Sequence, residues 1–193
     1  MERQPAKVLR PADVRKLLRQ VRKQRYPDRA TVITLLSFRA GLRACEISGL
    51  KWSMVLASNQ RVGHQINIAR SIAKKGSGRS IPLHPELKSA LLRLHKLEGK
   101  PCDGPVIRSE RDGHMTPRSI VNWFRAAYDQ LGLFRCSSHS GRRTFITMSA
   151  RLLAKSGGSL RDIQELAGHR SLSTTERYIE GDRDAQRRLI KLL

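Results

Sequence analysis

The stretch His139-Ser140-Gly141-Arg142-Arg143-Thr144-Phe145, followed by Ala167-Gly168-His169-Arg170-Ser171-Leu172-Ser173-Thr174-Thr175-Glu176-Arg177-Tyr178, decides how this chain is read. Helical patterns run from about Ser138 to Ala154 and from Ser159 to Ala167, then through a short helix that Ser173 caps with Glu176 three residues on. On a helix, His139 and Arg142 share one face, which aims a cation and a proton-transfer group at one point. Gly168 and His169 end one helix and the next carries Tyr178, so the turn presents His169 beside the tyrosine. Taken singly, each residue has a plainer reading. A histidine near an arginine is usually a solvated pair, and a tyrosine usually buries its ring and exposes its hydroxyl.

Outward from this stretch, Pro11 opens a helix whose apolar face is Val14, Leu17, Leu18 and Val21. Residues from about Ala30 to Ala40 are apolar nearly all round, predicting a buried helix that Gly41 stops. Arg43 follows directly. Ile66 and Ile68 alternate with polar neighbours, and Ser80 to Leu83 is short and apolar. Lys74, Lys75 and a glycine-rich turn lie between them, so the segment reads as a β-hairpin with Pro82 on an edge strand. Leu87, Leu91, Leu94 and Leu97 mark another helix. Thr116-Pro117 caps one that carries Ile120, Phe124, Ala127, Tyr128 and Leu131 and stops at Gly132. A last helix is expected near Asp184 to Leu193. With no internal repeat and no linker, the expectation is one domain over 1–193, mainly α with a small antiparallel β-sheet (α+β).

Composition narrows the partner. The 193 residues hold 38 Lys+Arg against 16 Asp+Glu, a formal charge of +22, far more than solubility needs. Such a surplus predicts a polyanion. The basic residues run through segments with apolar periodicity, so the charge belongs to a folded surface and not to a low-complexity tail. A membrane is the poorer partner, because no apolar run of about 18 residues occurs and the N-terminus has no apolar signal core. Cys45, Cys102 and Cys136 are odd in number and widely spaced, which suits reduced thiols in a cytoplasmic protein better than disulfides or a zinc site. There is no GxxxxGK[ST] loop for a nucleotide and no acidic cluster for Mg²⁺.

Arg43 with Glu46, Lys74 ahead of Ile81-Pro82-Leu83, His139-x-x-Arg142, Gly168-His169 and Tyr178 together resemble the ordered motifs of tyrosine recombinases of the phage-integrase type. The resemblance runs from about Leu9 to Asp182. It implies the catalytic-domain fold of that family and site-specific DNA recombination by way of a 3′-phosphotyrosyl intermediate, used for integration, excision or inversion. Tyr178 would be the nucleophile, Arg43 and Arg142 the clamp on the phosphate, and Lys74 the general acid, with Lys75 as the alternative. His139 would assist proton transfer, His169 would donate to the transition state, and Glu46 would orient Arg43 or simply cap a helix. The chemistry suits these residue types. Guanidiniums hold non-bridging oxygens through paired hydrogen bonds, and a tyrosine with a reference pKa of about 10 needs help to ionise near neutrality. Neither cofactor nor metal is required.

Family likeness also sets the partners: double-stranded DNA, a homo-oligomer (tetramer) on it, and accessory DNA-bending or directionality proteins in a nucleoid-associated setting. The apolar tail of 181–193 would pack onto a neighbouring protomer or fold back on its own core. No separate N-terminal core-binding domain is read, which makes the chain similar either to short fimbrial phase-switch recombinases or to a truncated longer member of the family. Gly141 and Arg143 stand where the family has an apolar residue and a histidine. A mid-helix glycine costs about 1 kcal/mol against alanine, so a looser helix is expected there. Two other functions fit the same residues: a DNA-binding regulatory factor that no longer cuts, and topoisomerase relaxation of type IB.

Overall fold

The computed structural model describes residues 6–73, 76, 78–178 and 190. Lys74, Lys75 and, Ile190 apart, the tail expected to form the last helix lie outside the described residues.

Helix α1 (Pro11–Val21) begins on its proline and buries Val14, Leu17, Leu18 and Val21. Helix α2 (Pro27–Arg39) starts three residues before the expected point, again on a proline, and every residue from Ala30 to Phe38 is buried. Its two interior threonine hydroxyls are satisfied locally, Thr31 by Pro27 O and Thr34 by Ala30 O, whereas the buried Ser37 Oγ has no hydrogen-bond partner among the described residues. Gly41, at φ +64, turns the chain, and Leu42 N–H bonds Leu36 O at 3.0 Å. Helix α3 (Ala44–Gly49) and a 3-10 turn at Trp52–Met54 follow, too short for a period to reveal them in sequence. Strands β1 (Gln65–Ile68) and β2 (Arg79–Pro82) pair antiparallel with Ile66 opposite Ile81, and Pro82 closes β2 opposite Gln65.

Helix α4 (Pro85–Leu97) buries Leu87, Leu91 and Leu94, but Leu97 is exposed because the helix ends there. Helix α5 (Pro117–Asp129) is capped as the sequence predicts, Thr116 Oγ1 accepting from Ser119 N–H at 3.1 Å. Helix α2 packs against α1, α3, α4 and α6, and forms with α1, α3, α4, α5 and the hairpin one large apolar core. A second, small core of Ile146, Ile163 and Ala167 joins α6 (Ser140–Ser156) to α7 (Leu160–Ala167).

Two expectations are corrected around the closing helices. Helix α8 (Leu172–Glu176) is capped by Ser171, whose backbone is extended, so Ser173 lies inside it, and the helix ends before Tyr178. Tyr178 N–H bonds Thr175 O at 3.0 Å, a tightened last turn that sets the tyrosine just past the helix. Gly141 does not mark a loose helix. A Cβ there would fall on Ser37 Oγ and lie 2.8 Å from Ser37 Cβ, so glycine is what lets α6 approach the buried face of α2.

Candidate active site

The site forms where the C-terminal end of α2, the start of α3, the start of β2, the first turn of α6 and the α7–α8 turn converge. Arg43 caps α3 with extended backbone. Glu46, one turn on, accepts Arg43 N–H at 2.9 Å and Arg43 Nη1 at 3.0 Å. It therefore caps the helix and orients the guanidinium at once. The same carboxylate takes both terminal nitrogens of Arg79, at 2.9 and 3.0 Å, and has no exposed surface. Burial alone would raise the Glu46 pKa, but the hydrogen bonds and charge of Arg79, then Arg43, take it below the ordinary carboxylate value.

Arg142 is 3% exposed. Its Nη1 donates to Gly41 O at 2.7 Å and its Nη2 to Ala167 O at 2.6 Å. These carbonyls sit at the C-terminal ends of α2 and α7, where helices leave acceptors unpaired and carry partial negative charge. Burial, then the neighbouring Arg43 charge, pushes the Arg142 pKa down to about 10, which leaves it a cation at neutral pH.

Arg142 Nη2 also lies 2.9 Å from His169 Nε2. A guanidinium only donates, so Nε2 must be the acceptor and the imidazole neutral. The proton then resides on Nδ1, which donates to the buried Thr175 Oγ1 at 2.9 Å. Burial, then the charges of Arg142, Arg43 and Arg79, pushes the His169 pKa down to about 4, in agreement with this tautomer. The half-buried Tyr178 stacks its ring on His169, centroids 5.6 Å apart and planes 22° from parallel. Arg143 Cζ lies over the Tyr178 ring, 5.9 Å from its centroid.

Five of the expected residues, Arg43, Glu46, Arg142, His169 and Tyr178, are thus joined through direct contacts or shared charge. His139 stands at the N-cap of α6 in helical backbone, one turn before Arg142, and is exposed where Arg142 is buried. Lys74 lies outside the described residues. Two members escaped the sequence reading, Arg79 and Thr175. Arg79 could have been found from strand alternation, since it stands two residues before buried Ile81 and so faces inward. The three guanidiniums outnumber the single carboxylate, so the cluster favours an anion with several oxygens.

Solved structures share this architecture. An integrase of the Tn1549 transposon, determined with transposon right end DNA, matches 100% of this chain and 67% of its own, with TM-score 0.77 and 18% identity. The XerA recombinase matches with TM-score 0.74 and 23% identity over 100% of this chain and 66% of its own. XerH, a site-specific recombinase bound to difH substrate, gives 0.72 and 20% over 98% and 55%. The fold is therefore the tyrosine-recombinase catalytic fold, mainly helical with one small antiparallel sheet.

The chain belongs to the phage integrase family, whose sequence pattern matches residues 7–184. Tyrosine recombinase XerC of Pelobacter propionicus is 32% identical over 157 residues, 78% of this chain and 46% of that protein. XerC of Mesorhizobium japonicum is 34% identical over 152 residues, 77% and 45%. The chain spans about half the length of the curated relatives it matches.

Proposed function

We propose that the protein is a site-specific DNA recombinase that cuts and rejoins duplex DNA through Tyr178. The observation that carries this reading is the stack of Tyr178 on a neutral His169 that is itself bonded to the buried Arg142. In the cleavage step Tyr178 Oη attacks the phosphorus, a P–O bond to the tyrosine forms, and the P–O bond to the 5′-oxygen breaks. The tyrosine proton leaves with help from His139, and Lys74 protonates the departing 5′-oxygen. Arg43 and Arg142 hold the two non-bridging oxygens as charge grows on them, from positions set before substrate arrives. A second 5′-hydroxyl reverses the step on the phosphotyrosyl bond, so no external energy source enters.

His169 begins as an acceptor. Before it can donate to a phosphoryl oxygen, Arg142 Nη2 must turn to the phosphate and Nε2 must take up a proton. Phosphate binding favours both changes, because it adds negative charge beside the imidazole.

The excess of basic residues and the neighbours solved with DNA support a double-stranded DNA partner. Pairing two sites calls for a homo-oligomer, a tetramer on DNA, with 181–193 exchanged between protomers. The deciding experiment incubates the protein with nicked suicide duplexes and looks for a covalent adduct. Wild type should form one that Tyr178→Phe cannot. Tight binding without any adduct would leave the non-cutting regulatory factor as the better reading, and relaxation of supercoils without site pairing would favour the topoisomerase.

A further inference from the structure

We propose that Arg79 is a positioning residue of this site, which couples the β-hairpin to the arginine clamp and to the turn that carries His169. The proposal rests on the recombinase reading for its role in cleavage. Its structural core stands on three contacts. Arg79 Nη1 and Nη2 grip both oxygens of Glu46, at 2.9 and 3.0 Å, and Glu46 in turn holds the backbone and guanidinium of Arg43. Arg79 Nε donates to Leu166 O at 2.8 Å, in the last turn of α7. The guanidinium also lies against Gly168, where an added Cβ would be 3.0 Å from Arg79 Cδ and Nη1. Gly168 is therefore needed twice, for its left-handed φ of +62 and for the approach of Arg79.

One side chain thus touches α3, β2 and the α7–α8 turn, each of which leads directly to a proposed catalytic group. It is 6% exposed, and each of its three nitrogens is bonded to a protein acceptor, two of them to the buried Glu46 carboxylate, so its role is to hold that carboxylate and the Leu166 carbonyl in place. That separates it from Arg43, whose side chain keeps more surface. Arg79 acts through others. A planar fork is required, because a lysine ammonium cannot meet both Glu46 oxygens and the Leu166 carbonyl with fixed geometry.

The test uses the full chain with Arg79→Lys and Arg79→Gln. For the lysine variant, circular dichroism and duplex-DNA binding should match wild type, while single-turnover adduct formation on suicide DNA falls about 10- to 100-fold, the range seen when supporting residues of metal sites are removed. In Arg79→Gln, the His169 imidazole, followed by NMR without DNA, should titrate at higher pH than in wild type, because a nearby cation is gone. Should Arg79→Gln not fold, the paired variant Glu46→Gln with Arg79→Gln removes the uncompensated carboxylate and is titrated instead. An adduct rate in Arg79→Lys equal to wild type, or one that falls only with the folded fraction while His169 titrates unchanged, overturns the proposal. If wild type itself forms no adduct, the recombinase reading fails, and the His169 titration still decides whether Arg79 sets the site.

Discussion

The two halves of the site are held in different ways. Arg43, Glu46, Arg79 and Arg142 are rooted where α2, α3, β2 and α6 meet, on the edge of the large core, with Glu46 wholly inaccessible and Arg142 bound by two helix-terminal carbonyls. Tyr178 follows the five-residue α8 and packs against a core that, among the described residues, has three buried members, Ile146, Ile163 and Ala167. A helix that short has no stability of its own. The geometry of the arginine cluster is consequently a property of the whole fold, whereas Tyr178, the proposed nucleophile, is placed among the described residues by the short α8 and the small core beneath it. Groups that stabilise developing charge work best when fixed beforehand, and burial supplies that fixity. A nucleophile has to enter and leave the line of attack, which light tethering permits.

The contrast can be broken most severely at Glu46. Glu46→Gln leaves three clustered cations without their buried anion, and chemical denaturation should register a loss of about 3 to 5 kcal/mol. Loss below 1 kcal/mol would mean that the network is a surface pair in energetic terms. Next comes Gly141→Ala, which forces α6 away from Ser37 and should destabilise by about 2 kcal/mol. Combining it with Ser37→Gly should recover about 1 kcal/mol of coupling; strictly additive effects would show that the close approach is not the cause.

A pH series sharpens the comparison further. The folded His169 pKa is depressed from 6.5 to about 4, so in that window the unfolded chain takes up a proton that the native imidazole, facing Arg142, Arg43 and Arg79, refuses. This contribution is complete above pH 6.5 and is lost as pH falls toward 4, on the order of 3 kcal/mol in total. Glu46 adds its own loss only below the carboxylate reference of 4.5. Urea midpoints that stay flat from pH 7 to 5 would contradict the neutral buried imidazole. The smallest effect belongs to Thr175→Val, which removes the acceptor of His169 Nδ1–H. Stability should drop about 1 kcal/mol, and the adduct should form several-fold more slowly because the tautomer is no longer held. A normal rate with normal stability would sever Thr175 from the site.

Much of this was legible beforehand, for identifiable reasons. Pro11 and Thr116-Pro117 announce helices because a proline tolerates the first turn and a threonine pairs an orphan N–H. The hairpin shows because Ile66, Ile68 and Ile81 alternate on a two-residue period. Helix α3 left no trace, since six residues cannot display a helical face. Two serines compete for the cap of α8, and only the extended backbone of Ser171 settles which one serves. Gly141 misled the reading because helix propensity is local, whereas the clash that excludes alanine comes from Ser37, on another helix.

By itself, then, the sequence determined the kinds of chemistry available: an excess of cations, paired arginines, two histidines and a tyrosine in a fixed order on a mainly helical frame. These follow from composition, periodicity and spacing, which are properties of the chain alone. Tertiary structure decided the wiring. It placed Arg142 on the carbonyls of two helices far apart in sequence, made His169 a neutral acceptor, and buried Arg79 against Glu46. Tautomer, charge state and bidentate geometry depend on which groups share a low-dielectric space, and only packing determines that.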